Sequence, residues 1–254
     1  MTLLYDTRSL FQRFLTKLVR NPTLLVTNLG TPLFFLLLFS QLFQKLSMFP
    51  GISGNYLTYL TPGIILFVAV MNAPLAGVAI VNDLNSGFLS KMLLTQVNRS
   101  AILLGRLLTD VTIVVVESVM VIAVAVAMGV TVATGVPGVL LMLVMAASVG
   151  MALSAIFLVI GMRARKNETI SALGSAVFFP LIFISSAMFP PSFFPAWAQT
   201  FSDYNPVSYA SNVLRGLVEG GLTWNTAVTA FAVIALIAVA AFAATLYQFR
   251  RVIG

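Results

Sequence analysis

Long apolar runs alternate with short polar and basic segments along the chain. A helix rises about 1.5 Å per residue, so about 20 apolar residues cross the roughly 30 Å hydrocarbon layer of a bilayer. The runs predict six membrane-spanning helices, at about residues 24–44, 60–81, 107–130, 138–161, 169–188 and 224–247. A turn at residues 135–138 separates the third span from the fourth. We therefore expect an all-α membrane protein, folded as a single domain over residues 1–254.

The composition supports a membrane protein. Hydrophobic residues make up 59% of the chain and charged residues only 8%, with a mean hydropathy of +1.03. Soluble domains carry roughly 25% charged residues, because their surface must face water. Cys and His are both absent. Thiolate chemistry and the usual zinc and haem ligands are therefore excluded, and we expect no metal site, no bound cofactor and no catalytic residues in this chain.

The basic residues fall mostly on one side of the predicted spans. Of the fourteen Lys and Arg residues, only Lys45 and Arg215 lie on the other side. The positive-inside rule then places both termini in the cytoplasm, in a multi-pass protein of the cell membrane. The charges form short groups between apolar runs and not one basic patch, so nucleic acid is not an expected partner.

Residues 5–20 form a predicted amphipathic helix. At 100° per residue one face is apolar and the opposite face is mostly basic. The apolar face comprises Leu10, Phe11, Phe14, Leu15 and Leu18. Such a helix lies in the membrane interface. Two interpretations remain open at this point, a simple anchor for the first span and a functional docking surface.

The cytoplasmic segment between the second and third spans is too polar to cross the bilayer. Asp83 or Ser86 is placed to cap a short helix over about residues 87–94. An apolar side of this helix would be formed by Phe88, Leu89, Met92 and Leu93. Lipid, the protein's own spans or another protein must cover that side.

A proline-rich segment follows the fifth span. Pro190, Pro191 and Pro195 interrupt any helix there, and aromatic residues surround them. These aromatic residues suit the headgroup level of a membrane. They are Phe193, Phe194, Trp197, Phe201, Tyr204 and Tyr209. We expect a partly inserted hairpin, and the alternative is an ordinary exposed loop.

Two acidic residues interrupt the third span. Asp110 follows Arg106 by four residues, which favours an ion pair along one helix face. Glu117 lies about 16 Å along the helix from Arg106, near the middle of the bilayer, where a charged carboxylate is costly. Three roles remain open for Glu117: a protonated structural hydrogen bond, attraction of a cationic substrate group, and proton relay.

Several motifs occur together in the order found in one transporter family. Leu60-Thr61-Pro62-Gly63-Ile64, Asn82-Asp83, Gly87, Met92-Leu93-Leu94-Thr95, Asn98-Arg99 and Leu104-Gly105-Arg106 resemble the second span, coupling helix and third span of the type-2 ABC exporter permeases. Phe189-Pro190, Pro195-Ala196-Trp197 and Asn205-Pro206 are similar to the extracellular re-entrant hairpin of that family. Gln96-Val97 departs from the pattern, because the family often has a Pro before its Arg.

The resemblance implies a permease subunit that pairs with a second copy, as a homodimer or heterodimer, and engages a cytoplasmic ATPase. ATP and Mg²⁺ would then bind to that ATPase, and this chain has no Gly-x-x-x-x-Gly-Lys-Ser/Thr motif of its own. Coupling to the ATPase would involve Asp83, Gly87, Phe88, Leu89, Met92, Leu93 and Arg99. The hairpin would be carried by Phe189, Pro190, Pro195, Trp197, Asn205 and Pro206.

For the substrate pathway the candidate residues are Glu117, Phe178 and Phe179. Apolar side chains with few fixed charges favour hydrophobic or amphipathic compounds, either drugs or lipid-like molecules, as the exported substrate. Two alternatives remain open: export of a polysaccharide or glycolipid by the same type of complex, and a proton-coupled secondary transporter that uses Glu117. A secondary transporter would be expected to show an internal repeat, and none is found.

Overall fold

The computed structural model describes residues 3–20, 22–43, 55–87 and 99–253. Within these ranges the regular secondary structure is entirely helical. In chain order the helices are α1 (Leu3–Val19), α2 (Pro22–Leu42), α3 (Tyr56–Asn85), α4 (Arg99–Ala127), α5 (Gly135–Ala164), α6 (Asn167–Phe183), a 3₁₀ turn (Pro191–Phe193), α7 (Ala196–Tyr204), α8 (Pro206–Glu219) and α9 (Trp224–Ile253). The predicted all-helical class is confirmed for this part of the chain.

Four helices are long and apolar enough to cross a membrane. Their apolar portions are Tyr56–Asn85, Ser100–Ala127, Gly135–Ala164 and Trp224–Phe249. They occupy the positions of the second, third, fourth and sixth predicted spans. The first and fifth predicted spans correspond to shorter apolar helices, Leu29–Leu42 and Asn167–Phe183. Six crossings therefore stay a prediction.

The fifth predicted span was too long by five residues. Helix α6 ends at Phe183, although the apolar sequence continues to residue 188. Residues 184–190 form an irregular turn instead, which we call the Ser186 turn. The turn depends on hydrogen bonds from side chains of α3 and α8 to its backbone, as described below. Local hydropathy contains no information on such distant contacts and therefore cannot show where the helix ends.

Helix α3 is the centre of the bundle. Most of its residues from Tyr56 to Val81 are buried, and α2, α4, α5, α6 and α8 all pack against it. Its contact with α5 is close because glycines face each other. A Cβ on Gly161 would lie 2.7 Å from the carbonyl oxygen of Gly77, and one on Gly77 would lie 2.8 Å from that of Phe157. Small residues allow two helices in an apolar environment to approach to backbone contact.

Helix α1 packs against the beginning of α4. Leu10 and Phe14 of its predicted apolar face are buried there, whereas Arg8 and Arg13 are exposed. A Cβ on Gly105 would lie 3.0 Å from the Cβ of Leu10. Part of the apolar face is therefore covered by protein. Its predicted position in the membrane interface stays a prediction.

Candidate functional site

An apolar groove of about 320 Å³ lies between α2, α3 and α6. Its wall is largely aromatic. Ring centroids are separated by 5.2 Å between Phe35 and Phe67, 4.9 Å between Phe67 and Phe178, and 5.4 Å between Phe178 and Phe179. These are the separations of edge-to-face and tilted aromatic pairs. The groove is thus a continuous aromatic surface to which three helices contribute.

Two of the three predicted pathway residues meet in this groove. Phe178 and Phe179 both line it, and Phe179 is 58% exposed. The small residues Gly174 and Ser175, one turn earlier on α6, leave room beside the rings. Ligand sites commonly combine apolar walls with few polar groups, so the groove is a candidate ligand site.

Glu117, the third predicted pathway residue, does not line the groove. It is fully buried between α4 and α3, where Asn72 Nδ2 donates a hydrogen bond of 2.6 Å to Glu117 Oε2. Asn72 Nδ2 also donates to the carbonyl oxygen of Val68, at 2.9 Å. Glu117 Oε1 is buried with no partner among the described residues. The structure therefore separates Glu117 from the two phenylalanines.

The predicted ion pair at the start of α4 is confirmed. Arg106 Nη2 lies 3.2 Å from Asp110 Oδ1, one helical turn away. The guanidinium carbon of Arg106 also lies 5.7 Å from the ring centroid of Phe14 on α1. Arg106 therefore contacts both α1 and Asp110, and the ion pair gives Asp110 the structural role that the sequence predicts.

A second polar cluster surrounds the Ser186 turn, at the N-terminal end of α3. Tyr56 Oη donates to the carbonyl oxygen of Met188 at 3.1 Å, and Tyr59 Oη donates to that of Ser186 at 3.0 Å. Arg215 Nη2 donates to the same Ser186 oxygen at 2.7 Å, and its guanidinium lies 3.7 Å above the Tyr59 ring. Irregular backbone inside an apolar bundle needs such partners, because its polar groups have lost the hydrogen bonds of a helix.

Helix α8 binds the same turn from the other side. The amide of Ser186 donates to Ser208 Oγ at 3.1 Å. The Ser186 hydroxyl lies within hydrogen-bonding distance of Ser211 Oγ and donates to Asn212 Oδ1 at 3.0 Å. Ser208, Ser211 and Arg215 lie one turn apart on α8, so one face of this helix is polar. The turn is thus held between α3 and α8.

Asn205 links the end of α6 to the start of α8. Its Nδ2 donates to the carbonyl oxygens of Leu181 and Ile184, both at 3.0 Å, at the end of α6. Its Oδ1 accepts from the amide of Val207 at 2.9 Å, as an N-cap of α8. Pro206 follows at the first helical position, where its missing amide hydrogen costs nothing. The Asn-Pro pair therefore caps two helix ends at once.

The other predicted hairpin residues surround this junction. Phe189 packs edge-to-face on Phe43, with centroids 5.6 Å apart. Pro190 precedes the 3₁₀ turn, and Pro195 precedes α7. Trp197 on α7 is 67% exposed. Residues 189–206, the predicted hairpin, contain the 3₁₀ turn and the short helix α7. Their re-entrant arrangement and partial insertion into the membrane stay predictions.

The opposite end of α8 is capped by the connection between α4 and α5. Thr134 Oγ1 donates to the carbonyl oxygen of Leu217 at 2.7 Å, and the amide of Ala133 donates to that of Val218 at 2.9 Å. Gly220 then ends the helix with φ +79°, a left-handed conformation that glycine adopts freely. Both ends of this internal helix are therefore satisfied.

The predicted coupling segment lies mostly outside the described residues. Phe88, Leu89, Met92 and Leu93 belong to residues 88–98, and Arg99 is the first residue of α4. Asp83 lies within α3, and the helix that Asp83 or Ser86 is predicted to cap lies outside the described residues, so this cap stays a prediction. Helix α3 continues through Asp83 to Asn85, and the amide of Ser86 still donates to the carbonyl oxygen of Asn82 at 3.0 Å. Gly87, with φ +67°, then turns the chain away.

Sequence reasoning missed most of the residues around the Ser186 turn. Tyr56, Tyr59 and Arg215 were not recognised as its partners. One signal was available, because Ser208, Ser211 and Arg215 repeat at helical spacing within a largely apolar segment. The pairing of that face with Ser186 has no signal in a single sequence.

Comparison with known proteins agrees with the motifs. The family model described as "ABC-2 type transporter" matches residues 5–218. The daunorubicin resistance ABC transporter permease protein DrrB1 of Streptomyces coeruleorubidus is 29% identical over 199 residues, which cover 78% of this chain and 70% of that protein. The putative transport permease ycf38 of Pyropia yezoensis is 27% identical over 88% of this chain and 77% of its own length.

A third relative has a similar description. The probable doxorubicin resistance ABC transporter permease protein DrrC of Mycobacterium tuberculosis is 22% identical over 210 residues, covering 82% of this chain and 75% of its own. The family match extends from α1 to the end of α8 and includes the groove, the Ser186 turn and the hairpin. The chain therefore belongs to the ABC-2 type transporter family and is a multi-pass membrane permease.

Proposed function

We propose that this chain is the transmembrane subunit of an ATP-driven exporter of hydrophobic or amphipathic compounds, drug-like or lipid-like. It takes its substrate from the cytoplasm or the inner leaflet and works as a pair of permease subunits with a separate cytoplasmic ATPase. The aromatic groove between α2, α3 and α6 is the single observation that carries the substrate class. Among the described residues that line it there is no charged side chain and only three hydroxyl groups, so an ion or a sugar would find few partners.

The relatives support the same direction and substrate class. The names of two of them refer to resistance to daunorubicin and doxorubicin, which are flat aromatic amphiphiles. The Phe67, Phe178 and Phe179 rings offer edges and faces to such a ring system. Phe178 and Phe179 would then contact the substrate directly.

Energy would enter at the far end of α3. In this proposal the segment from Asp83 to Arg99 docks on the ATPase, which binds ATP and Mg²⁺, and Phe88, Leu89, Met92 and Leu93 form the contact. Asn167 Nδ2 donates to Asn82 Oδ1 at 2.8 Å, joining the end of α3 to the start of α6. Because both helices line the groove, a displacement of the C-terminal end of α3 by the ATPase would change the shape of the groove.

The proposed topology has six crossings with both termini in the cytoplasm of a single-domain subunit. The hairpin of residues 189–206 then lies on the extracellular side and inserts partly into the membrane. Trp197, Phe201 and Tyr204 are exposed on α7 at helical spacing, as an aromatic belt requires. Cysteine labelling of this cysteine-free chain tests both statements: Ser192→Cys should react from outside and Ser9→Cys from inside.

The function is tested in proteoliposomes that contain the permease and its ATPase. We expect ATP-dependent, vanadate-sensitive movement of a fluorescent anthracycline, and a loss of at least about fivefold in Phe178→Ala and Phe179→Ala. Phe34→Ala is the matched control, since Phe34 is also exposed on α2 but does not line the groove. Transport that ignores vanadate and stops with an uncoupler would instead favour a proton-driven transporter, and movement of glycolipid alone would favour the polysaccharide class.

A coupling variant tests the energy step separately. Replacing both Phe88 and Met92 with Ser should abolish stimulation of the ATPase by the permease, while binding of the fluorescent compound to the groove persists. Unchanged stimulation and transport in this variant would contradict the docking role of the segment.

A further inference from the structure

A second cavity, of about 330 Å³, lies beside Arg215 at the hairpin end of the bundle. It differs from the aromatic groove because its lining is rich in hydroxyl groups and carries both a cation and a carboxylate. The residues that matter below are Tyr59, Ser202, Asp203, Ser208, Asn212 and Arg215. It lies at the opposite end of α3 from the proposed coupling segment.

Arg215 brings a positive charge to this cavity, and the carboxylate of Glu219, one turn further along α8, acts on it electrostatically. No carboxylate of the described residues forms an ion pair with it, and its Nε is buried without an acceptor among them. Its Nη2 is held by the carbonyl oxygen of Ser186 and its plane by the Tyr59 ring. A guanidinium has five N–H donors in a fixed fork. The Arg215 guanidinium is therefore fixed in orientation and still has N–H groups that can donate to a ligand.

Two serine hydroxyls stand at the buried end of the same cavity. Ser202 and Ser208 are 1% and 5% exposed, and their oxygens lie 3.2 Å apart. Their mutual hydrogen bond uses only one of their two protons. Ser208 Oγ also accepts from the amide of Ser186, so it needs no further donor. One hydroxyl proton therefore remains for an acceptor inside the cavity.

The mouth of the cavity carries a negative charge. Asp203 lines it and is exposed, as is Asn212. A free multivalent anion would be repelled by this carboxylate. A group with an anion at one end and an amine at the other would place the anion near Arg215 and the amine near Asp203.

We propose that this cavity binds a phosphate group that carries a neighbouring amine, as in phosphoethanolamine. The phosphate would accept hydrogen bonds from Arg215 and from the Ser202–Ser208 pair, and the amine would pair with Asp203. Arg is well suited to phosphate because its donors match phosphate oxygens in pairs. A lipid headgroup and a soluble phosphate ester share this chemistry. The site is separate from the substrate groove and does not depend on the proposed transport function.

The test uses the purified full chain in detergent. Native mass spectrometry measures bound short-chain phosphatidylethanolamine, phosphatidylglycerol and diacylglycerol, and calorimetric titration measures soluble phosphoethanolamine. We expect phosphatidylethanolamine to bind at least about tenfold more tightly than diacylglycerol, and Arg215→Gln to remove that preference. Arg8→Gln, which removes an exposed cation on α1, should change nothing.

Asp203→Asn keeps the proposal testable if Arg215→Gln does not fold. Asp203 is exposed, so its replacement should leave the protein stable. The affinity for phosphatidylglycerol relative to that for phosphatidylethanolamine should rise about threefold. Tight binding of soluble phosphoethanolamine would identify a soluble ester as the ligand, and binding of the lipid alone would identify the headgroup. Equal binding of diacylglycerol and phosphatidylethanolamine, or no change in selectivity in Asp203→Asn, would overturn the proposal.

Discussion

Two buried polar clusters in this apolar bundle are built very differently. Around the Ser186 turn, several donors from α3 and α8 bind the backbone, and Asn205 binds three backbone groups by itself. At Glu117 a single amide, Asn72 Nδ2, supports one carboxyl oxygen, and the other has no partner among the described residues. Buried polar groups without partners are costly. The many bonds of the first cluster therefore hold the turn in place although Arg215 Nε is buried without an acceptor, whereas Glu117 has a single bond to offset the cost of its burial.

The largest effect should come from Gly63, which brings α3 against the Ser186 turn. A Cβ at this position would overlap the carbonyl oxygen of Ala187 and lie 2.7 Å from its carbonyl carbon. Backbone atoms cannot move aside as a flexible side chain can. Gly63→Ala should therefore lower the free energy of unfolding by about 3 kcal/mol or more, as measured by reversible unfolding in mixed detergent micelles.

The control for Gly63 is Gly30→Ala in α2, where an added Cβ meets no atom within 4 Å. Removing a helix-interior glycine should there be neutral or stabilising by up to about 1 kcal/mol. Equal effects at both positions would show that the contact between α3 and the Ser186 turn does not determine stability.

Asn205 should give the next largest effect. Asn205→Ala removes two donors to the end of α6 and the N-cap of α8, and we expect a loss of about 2–3 kcal/mol. Asn205→Ser keeps a cap for Val207 but loses the donors to Leu181 and Ile184, so its loss should be about half as large. The same unfolding titration distinguishes the two variants. A serine variant as unstable as the alanine variant would mean that the N-cap contributes nothing.

The two tyrosines provide a matched pair with smaller effects. Among the described residues Tyr56 is the one donor seen on the Met188 carbonyl, whereas the Ser186 carbonyl keeps Arg215 when Tyr59 is lost. Tyr56→Phe should therefore cost about 1–2 kcal/mol, and Tyr59→Phe about 0.5–1 kcal/mol. Thermal unfolding of the two variants in one detergent checks the order. The reverse order would show that Arg215 does not support the turn.

The apolar elements of this fold were predictable from the sequence, and the polar junctions were not. Helices α3, α4, α5 and α9 follow from long uncharged runs, since an apolar stretch in lipid has few alternatives to a helix. The sequence predicts the end of the fifth span at residue 188, because residues 184–188 carry no charge and are apolar enough to continue a membrane-spanning helix. At the end of α6 Asn205 binds two carbonyl oxygens, and Tyr56 and Tyr59, more than 120 residues away, bind the turn that follows Phe183.

The candidate site shows the same division. Phe178 and Phe179 lie in the fifth predicted span, so the sequence could place them within the membrane as candidate pathway residues. That they meet Phe35 and Phe67, and that Glu117 faces Asn72 instead, depends on the rotation of four helices about their axes. Hydropathy says little about that rotation when a helix is apolar on all sides, as α3 is.

The smallest effect on stability should come from Glu117→Gln, which distinguishes the three roles left open for Glu117. A glutamine oxygen accepts from Asn72 as the carboxyl oxygen does, so the free energy of unfolding should change by less than about 1 kcal/mol. If Glu117 is structural, vanadate-sensitive transport of the fluorescent anthracycline in proteoliposomes should also be unchanged, because the residue lies outside the aromatic groove. Glu117→Leu is the paired variant: it leaves Asn72 without its acceptor on α4 and should destabilise by about 1–3 kcal/mol. A Gln variant that is stable but loses transport would rule out the structural role and show that the ionisable carboxyl acts on a cation or a proton.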